Sequence, residues 1–343
     1  MGKNLKKTLA YLLLLVFIGG IAIAGYIYYV VNTGFDTSKT VYIYINQGKN
    51  YNEVLRQIKD SAKVKSLSRF ELVASFRDYP QNVKTGRYAI EPTDNIWMVV
   101  NKLNRKQQTP VKVTFNNIRL KADLTDRISE QLMFGKDELT AVVEDSARCA
   151  AYGFNAQTIV AMFIPNTYEF YWDVAAGTFM DRMKKEYDSF WTKARLDKAA
   201  KMNLTPLQIS ILASIVEEEC MFADEYPIVA GLYYNRLRRG QLLQADPTVK
   251  YAVGDFSLQR ILNKHLEIDS PYNTYKYPGL PPGPIRIPSI RGIDAVLNYA
   301  EHKYLYMCAK EDFSGRHNFA VTHAEHNRNA ARYRQELNRR KIY

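Results

Sequence analysis

The 343-residue chain is 47% hydrophobic and 24% charged, a globular balance that excludes disorder and leaves room for two soluble modules or one large one. A formal net charge of +12 raises nucleic acid as a partner, but no nucleic-acid recognition motif is visible. The basic run Arg328 to Lys341 reads instead as a solvated helix face, suited to acidic lipid or an acidic polymer.

In chain order, the first feature is Leu9 to Val31, an uncharged apolar run long enough to cross a bilayer core, which takes about 20 apolar residues. Lys3, Lys6 and Lys7 precede it, so residues 1–8 are expected as a cytoplasmic tail, 9–31 as a membrane-spanning helix and the rest as external. A cleaved signal peptide is the competing reading, because Ala22-Ile23-Ala24 resembles a cleavage site. The run continues through Tyr26 to Val31, longer than a signal core, which favours a retained anchor. An external position also argues against nucleic acid.

Residues 32–39 read as a polar linker. Val41–Ile45 is a strand by composition, followed by helical patterns at Tyr51–Ser61 and Leu67–Phe76, a strand at Gly86–Ile90 and a helix at Asn95–Arg105. This order over 40–110 is compatible with a small sugar-binding module of the LysM kind, and equally with a plain mixed α/β spacer. Val111–Phe115 is a strand leading into a second module, 111–343, with helices at Ala122–Leu132 and Lys136–Asp145. Phe163 to Phe170 reads as an aromatic loop, able to line a carbohydrate site or to form a buried corner.

Thr205-Pro206-Leu207-Gln208 is a helix start, with Thr205 as cap, Pro206 in the first turn and Gln208 able to reach back. The helix is apolar at Leu207, Ile211, Leu212 and Ile215 and ends in Glu217-Glu218-Glu219. At about 100° per residue Glu219 falls in line with Leu212 and Ile215, towards a core. Glu217 sits over Ser210, Ala213 and Ser214, a stripe of small side chains that a bulky substrate could approach. A carboxyl at the end of an apolar helix is partly desolvated and holds its proton, as cleavage of a glycosidic bond requires. The alternative is an ordinary solvated acidic helix end.

Asp224 to Arg239 reads as a helix stopped by Gly240, and Leu243 to Tyr251 as a turn rich in hydrogen-bonding side chains. Pro271 to Ile285 is irregular and aromatic. A helix at Ser289–His302, strands at Tyr304–Ala309 and near His317–Val321, and a final helix complete an α+β fold. His317, His323 and His326 look at first like a metal set, but no matching Cys or His-Glu-x-x-His helix accompanies them, so they are expected to donate hydrogen bonds in or near a polar cleft. Cys149, Cys220 and Cys308 fit no zinc or redox pattern and are expected as free buried thiols. No metal or cofactor is expected. No nucleophile elbow is present. Glu219 and Asp246 are the candidates for a second carboxylate, and neither reads as a convincing nucleophile.

Taken together, Ile211 to Glu217, Asn235-Arg236-Leu237, Leu243-Gln244, Asp246-Pro247-Thr248, Tyr251, Tyr272 to Tyr275, Gly279 to Ile285 and Phe319 to Asn327 resemble the endolytic murein transglycosylases, the YceG-like family, over nearly the whole chain. Three positions depart from the usual pattern: Asn166 where Asp is common, Glu218 in place of a basic residue, and Ala245 in place of a small hydroxyl residue. The resemblance implies an anchor, a LysM-like module and a catalytic domain at 111–343 with its core at 205–343. It further implies a lytic cut between N-acetylmuramic acid and N-acetylglucosamine in nascent peptidoglycan strands, leaving a 1,6-anhydro end. Glu217 is expected as the catalytic acid and base. Glu219, Asn235, Arg236, Gln244, Asp246, Thr248, Tyr251, Tyr272, Asn273, Tyr275, His317, His326 and Asn327 are expected to shape the cleft or bind substrate. The implied partners are glycan strands, the bilayer of the inner membrane and the penicillin-binding synthases. Its rivals are a hydrolase of the same bond and a non-enzymatic wall-binding or division scaffold. On this reading Glu219→Gln acts through folding.

Overall fold

A computed structural model describes residues 2–258 and 260–341; Met1, Ile342 and Tyr343, the ends of the expected tail and second module, lie outside the described residues. The fold is mixed α+β and divides into two compact units, one of Met1–Lys112 with Gln131–Met133 and Glu169–Val174, the other of Val113–Glu130, Phe134–Tyr168 and Ala175–Tyr343.

The first unit opens with α1 (Lys3–Val31), whose stretch Leu5–Val31 is long and apolar enough to cross a membrane; its side chains are exposed except near the carboxyl end, where Val30 is buried in the core of the unit. Then follow β1 (Val41–Ile45), α2 (Tyr51–Asp60), α3 (Leu67–Phe76), β2 (Gly86–Ile90) and α4 (Ile96–Asn104). The strands pair antiparallel, Val41 opposite Ile90 and Ile45 opposite Gly86. Strand alternation buries Ile43 and Ile45 and turns Tyr42 and Tyr44 outward, where the Arg87 guanidinium lies 3.5 Å over the Tyr42 ring. Asn50 and Asn95 cap α2 and α4 by accepting from the amides of Glu53 and Met98. Residues 32–39 are no free linker: Phe35 is buried in the core, and bridges tie Gly34 to Asn95 and Phe35 to Val64.

β3 (Val111–Phe115) pairs with β4 (Asn166–Phe170), so part of the expected aromatic loop is a strand. Between them lie α5 (Lys121–Ser129), α6 (Lys136–Glu144) and α7 (Ser146–Ala151). Two helices absent from the sequence reading follow, α8 (Ala176–Phe190) and α9 (Lys193–Lys201).

The second unit centres on α10 (Pro206–Glu219), buried from Ile209 to Glu217. Its start is the expected capping box: Thr205 Oγ1 accepts from the Gln208 amide at 3.2 Å and Gln208 Oε1 from the Thr205 amide at 2.8 Å. Around it pack α11 (Tyr226–Arg238), α12 (Asp246–Val253) and, beyond the short α13 (Asn263–Leu266), α14 (Ile290–Leu297). The expected turn at Leu243–Tyr251 is therefore helical from Asp246 onward, with Pro247 in the first turn and Gly254 at φ +76° ending the helix. The helix expected over Ser289–His302 stops at Leu297, since the Ala300 amide turns away to the Pro227 carbonyl at 2.8 Å. β5 (Tyr306–Ala309) and β6 (His317–Ala320) form an antiparallel hairpin, covered by α15 (His323–Arg339), which has no buried residue and is the expected solvated basic helix.

Gly231 lets α11 approach the segment that enters β5. A side-chain methyl there would meet the Ala300 carbonyl and stand 2.8 Å from His302 Nε2. Gly231→Ala should lower stability by about 1–3 kcal/mol, the usual cost of overpacking, seen as a fall in Tm.

Candidate active site

A cavity of ≈ 410 Å³ lies where the end of α10, the face of α11, the loop before α12, Tyr275, β5, β6 and α15 meet. Its walls carry Glu219, Tyr233, Arg236, Gln244, Asp246, Tyr275, Tyr306, Cys308, His317 and His326. Seven of these are expected site residues from six separate stretches of sequence: Glu219, Arg236, Gln244, Asp246, Tyr275, His317 and His326.

Glu219 is half-buried at the end of α10 and accepts a 2.6 Å hydrogen bond from the Tyr233 hydroxyl. Burial pushes its carboxyl up from the ordinary 4.5 to about 7; the Tyr233 bond works against that rise and the Asp246 charge adds to it. Tyr233, buried beside it, is pushed well above the ordinary tyrosine range, first by burial and then by the Glu219 charge, so it remains a donor. Asp246 accepts from the Tyr275 hydroxyl at 2.6 Å. Arg236 donates to Gln244 Oε1 at 2.5 Å, while its Nε is buried without a partner.

Two histidines complete the wall. His317 Nδ1 lies 3.1 Å from Glu225 Oε2, and its backbone amide donates to Glu225 Oε1 at 3.1 Å. The buried Glu225 carboxylate is satisfied by a protonated Nδ1, which leaves Nε2 as the other ring nitrogen of His317. His326 stacks on Tyr306 with ring centroids 5.6 Å apart, and its Nδ1 is buried without a partner. Desolvation and then the neighbouring His323 and Arg236 lower its pKa, which keeps the ring neutral near pH 7.

Glu217 is elsewhere, and the expected orientation of the two acids is reversed. Only 9% exposed, Glu217 accepts from the Ser289 amide at 2.9 Å and from the Ser289 hydroxyl. Ser289 caps α14, and Arg286 Nε lies 3.8 Å from the Glu217 carboxylate. The stripe of small residues beneath is filled by the chain itself: the Ile285 amide donates to Ser214 Oγ at 3.1 Å. Gly292 packs so closely that a Cβ on it would stand 2.7 Å from the Glu217 carboxyl carbon. Glu218, the acid in place of a basic residue, pairs with Arg119 at 2.6 Å and Arg286 at 2.7 Å.

The other expected residues do not line the cavity. Thr248 is fully buried and bonds the Ala245 carbonyl at 2.7 Å and Thr274 at 2.8 Å. Asn273, also fully buried, donates to the Leu266 and Ile268 carbonyls at 2.8 and 2.9 Å. With the Gln244 amide bonded to the Thr274 carbonyl at 3.0 Å, these contacts hold Gln244, at φ +54°, and Asp246 towards the cavity. Asn235 donates to the His302 and Tyr304 carbonyls, fixing the entry to β5. Tyr251 and Tyr272 pack on each other at 4.7 Å, and Asn327 pairs with His323 on the exposed side of α15. Tyr233, Tyr306 and Glu225 were missed. Tyr233 had a signal, lying three residues before Arg236 and hence on its helix face. Cys149 and Cys220 are buried free thiols, whereas Cys308 is partly exposed on the cavity wall.

Three outcomes follow from the separation of the acids. Gly292→Ala should lower Tm by displacing Glu217, and Glu217→Gln should lower it by weakening the Ser289 and Arg286 contacts. For Glu219 the folded carboxyl binds its proton more tightly than the unfolded one, so it destabilises the fold as pH rises from about 4.5 to about 7. Relative to Glu219→Gln, the parent should lose Tm across that window, and parallel Tm profiles would contradict the raised pKa.

The YceG-like family profile matches residues 43–332. The chain is 26% identical over 314 residues to an endolytic murein transglycosylase of Bacillus subtilis (strain 168), covering 87% of this chain and 86% of that relative. It is 25% identical over 336 residues to an endolytic murein transglycosylase of Streptococcus pneumoniae serotype 2 (strain D39 / NCTC 7466), of whose length it spans 59%. A YceG-like protein of Listeria monocytogenes, solved by crystallography, superimposes with a TM-score of 0.56 at 27% identity, over 85% of this chain and 99% of that one. The chain belongs to the YceG-like family.

Proposed function

We propose that this protein is a membrane-anchored endolytic peptidoglycan lytic transglycosylase whose acid and base is Glu219. The observation that carries the reading is a carboxyl with a pKa of about 7 on the wall of a sugar-sized cavity. Protonated Glu219 gives its proton to the bridging oxygen of the β-1,4 bond between N-acetylmuramic acid and N-acetylglucosamine, and that bond breaks. The resulting carboxylate takes the proton of the muramyl C6 hydroxyl, whose oxygen bonds to C1. The product is a 1,6-anhydro end, no water is consumed, and Glu219 is again protonated.

In this scheme Tyr233 orients Glu219 and Asp246 helps to hold its proton. Arg236, Gln244, Tyr275, His317 and His326 offer the hydrogen bonds that seat the sugars. Gln244 and Arg236 are paired with each other, so a substrate acetamide or hydroxyl would exchange with that pair. The name borne by the Bacillus and Streptococcus relatives supports the same chemistry. The strand-helix-helix-strand order of residues 41–90 supports a LysM-like glycan contact, and the basic residues Lys3, Lys6 and Lys7 in the first turns of α1 support a cytoplasmic amino terminus. Tethered to the membrane, the enzyme would cut nascent strands and end their elongation beside penicillin-binding synthases.

Asp246, a second carboxylate on the same wall, favours one rival, hydrolysis of the same bond with two acids. Mass spectrometry of digested glycan strands decides, since the hydrolytic product is heavier by one water. Glu219→Gln should reduce turnover about 10²–10⁴-fold, the usual worth of general acid–base help, whereas Glu217→Gln should retain turnover in the fraction that folds. The reverse ranking would overturn the assignment. Because the protonated form starts the reaction, kcat/KM should fall as pH rises above about 7.

A further inference from the structure

We infer that the first unit makes a second contact with the bilayer, through an apolar groove beside the carboxyl end of α1 that beds among the acyl chains and headgroups of the leaflet where the chain emerges. The inference rests on reading α1 as a membrane anchor.

The groove is ≈ 510 Å³ in volume and walled entirely by aliphatic and aromatic side chains, among them Tyr26 and Ile27 of α1, Leu72 and Phe76 of α3, and Trp97 of α4. On α3, Arg69, Leu72, Val73 and Phe76 recur at the spacing of one helix face. Val73 is buried against the core, yet Leu72 is 51% and Phe76 77% exposed. Met98, beside Trp97, is 43% exposed. A cluster of large exposed apolar side chains on a small unit marks an interaction surface.

Its occupant follows from what the groove is continuous with. One wall is the last two turns of the helix that crosses the membrane, so α3 and α4, packed on those turns, meet the bilayer at the same depth. Cations rim the apolar surface at the level expected of headgroups. The Arg69 guanidinium lies 3.8 Å over the Tyr29 ring and donates to Thr33 Oγ1 at 3.0 Å, and Arg77 lies 5.4 Å from the Trp97 ring. Tyr26, Tyr28, Tyr29 and Trp97 supply the aromatic belt that accompanies a membrane–water boundary. Arginine heads reaching water over aromatic and aliphatic side chains, beside anionic lipid, complete the pattern of an interfacial surface.

The test uses the full chain in vesicles of phosphatidylethanolamine and phosphatidylglycerol carrying brominated acyl chains. Brominated lipid should quench the tryptophan fluorescence of the parent, and Trp97→Phe should remove most of that quenching, since Trp191 is buried and Trp172 packs against Tyr44. The exposed double substitution Leu72→Ser with Phe76→Ser should fold and reduce the quenching by about twofold or more. If the protein resists an alkaline wash but Trp97 is quenched by aqueous iodide and not by brominated lipid, the groove faces water and the inference fails while the anchor stands. If neither quencher reaches Trp97, a protein partner covers the groove and the inference likewise fails. Release by the alkaline wash would overturn the anchor itself, and this second contact with it.

Discussion

The bond between Glu217 and Ser289 decides what the end of α10 can do. It locks the last turn of the helix onto the amino terminus of α14, where backbone amides and the helix dipole favour a carboxylate. Two residues on is a turn of about 200°, so fixing Glu217 on α14 sends Glu219 to the opposite side. There it finds Tyr233 and Asp246 instead of bulk water. Glu217 is thereby held by Ser289 at the start of α14, and Glu219 is left half-buried on the cavity wall with its pKa raised to about 7.

Most of the side chains that surround this hollow hold backbone and not ligand. Thr248, Asn273 and Thr274 form a buried set of hydrogen bonds whose effect is to present Gln244 and Asp246, and Asn235 does the same for the entry to β5. Buried polar groups with this many partners are costly to remove, because each deletion strands another donor or acceptor. A strict motif in such a chain therefore records a shape requirement as much as a chemical one. Glu218 is held in the same way, paired with both Arg119 and Arg286.

The first unit has a different logic. Its core is ordinary, with alternating burial along β1 and capped helices on one side. The face beside α1, however, is finished with phenylalanine, leucine, methionine and tryptophan where a water-facing unit would carry polar groups. On the inference that α1 is an anchor and this face beds in the leaflet, the physical reason is a change of solvent, because apolar exposure costs nothing in lipid.

What the sequence determined by itself was local. Periodicity and caps located α3, β1, β2 and β3 and the start of α10, because those signals act over a few residues. The spaced motifs located the family and most of the cavity wall. Composition missed α8, α9 and α12, where polar helix faces and a proline in the first turn read as loop. The wheel of α10 correctly set Glu217 and Glu219 on different faces, but a wheel holds no information about what lies against each face. Only the tertiary structure decided that, by bringing Ile285, Ser289 and Gly292 onto the small-residue stripe and by leaving Tyr233, Asp246 and an empty volume beside Glu219. Those contacts join residues such as Tyr233 and Glu219, 14 apart, and Ser289 and Glu217, 72 apart, and it is desolvation by that packing, not the identity of either glutamate, that raises one pKa to about 7.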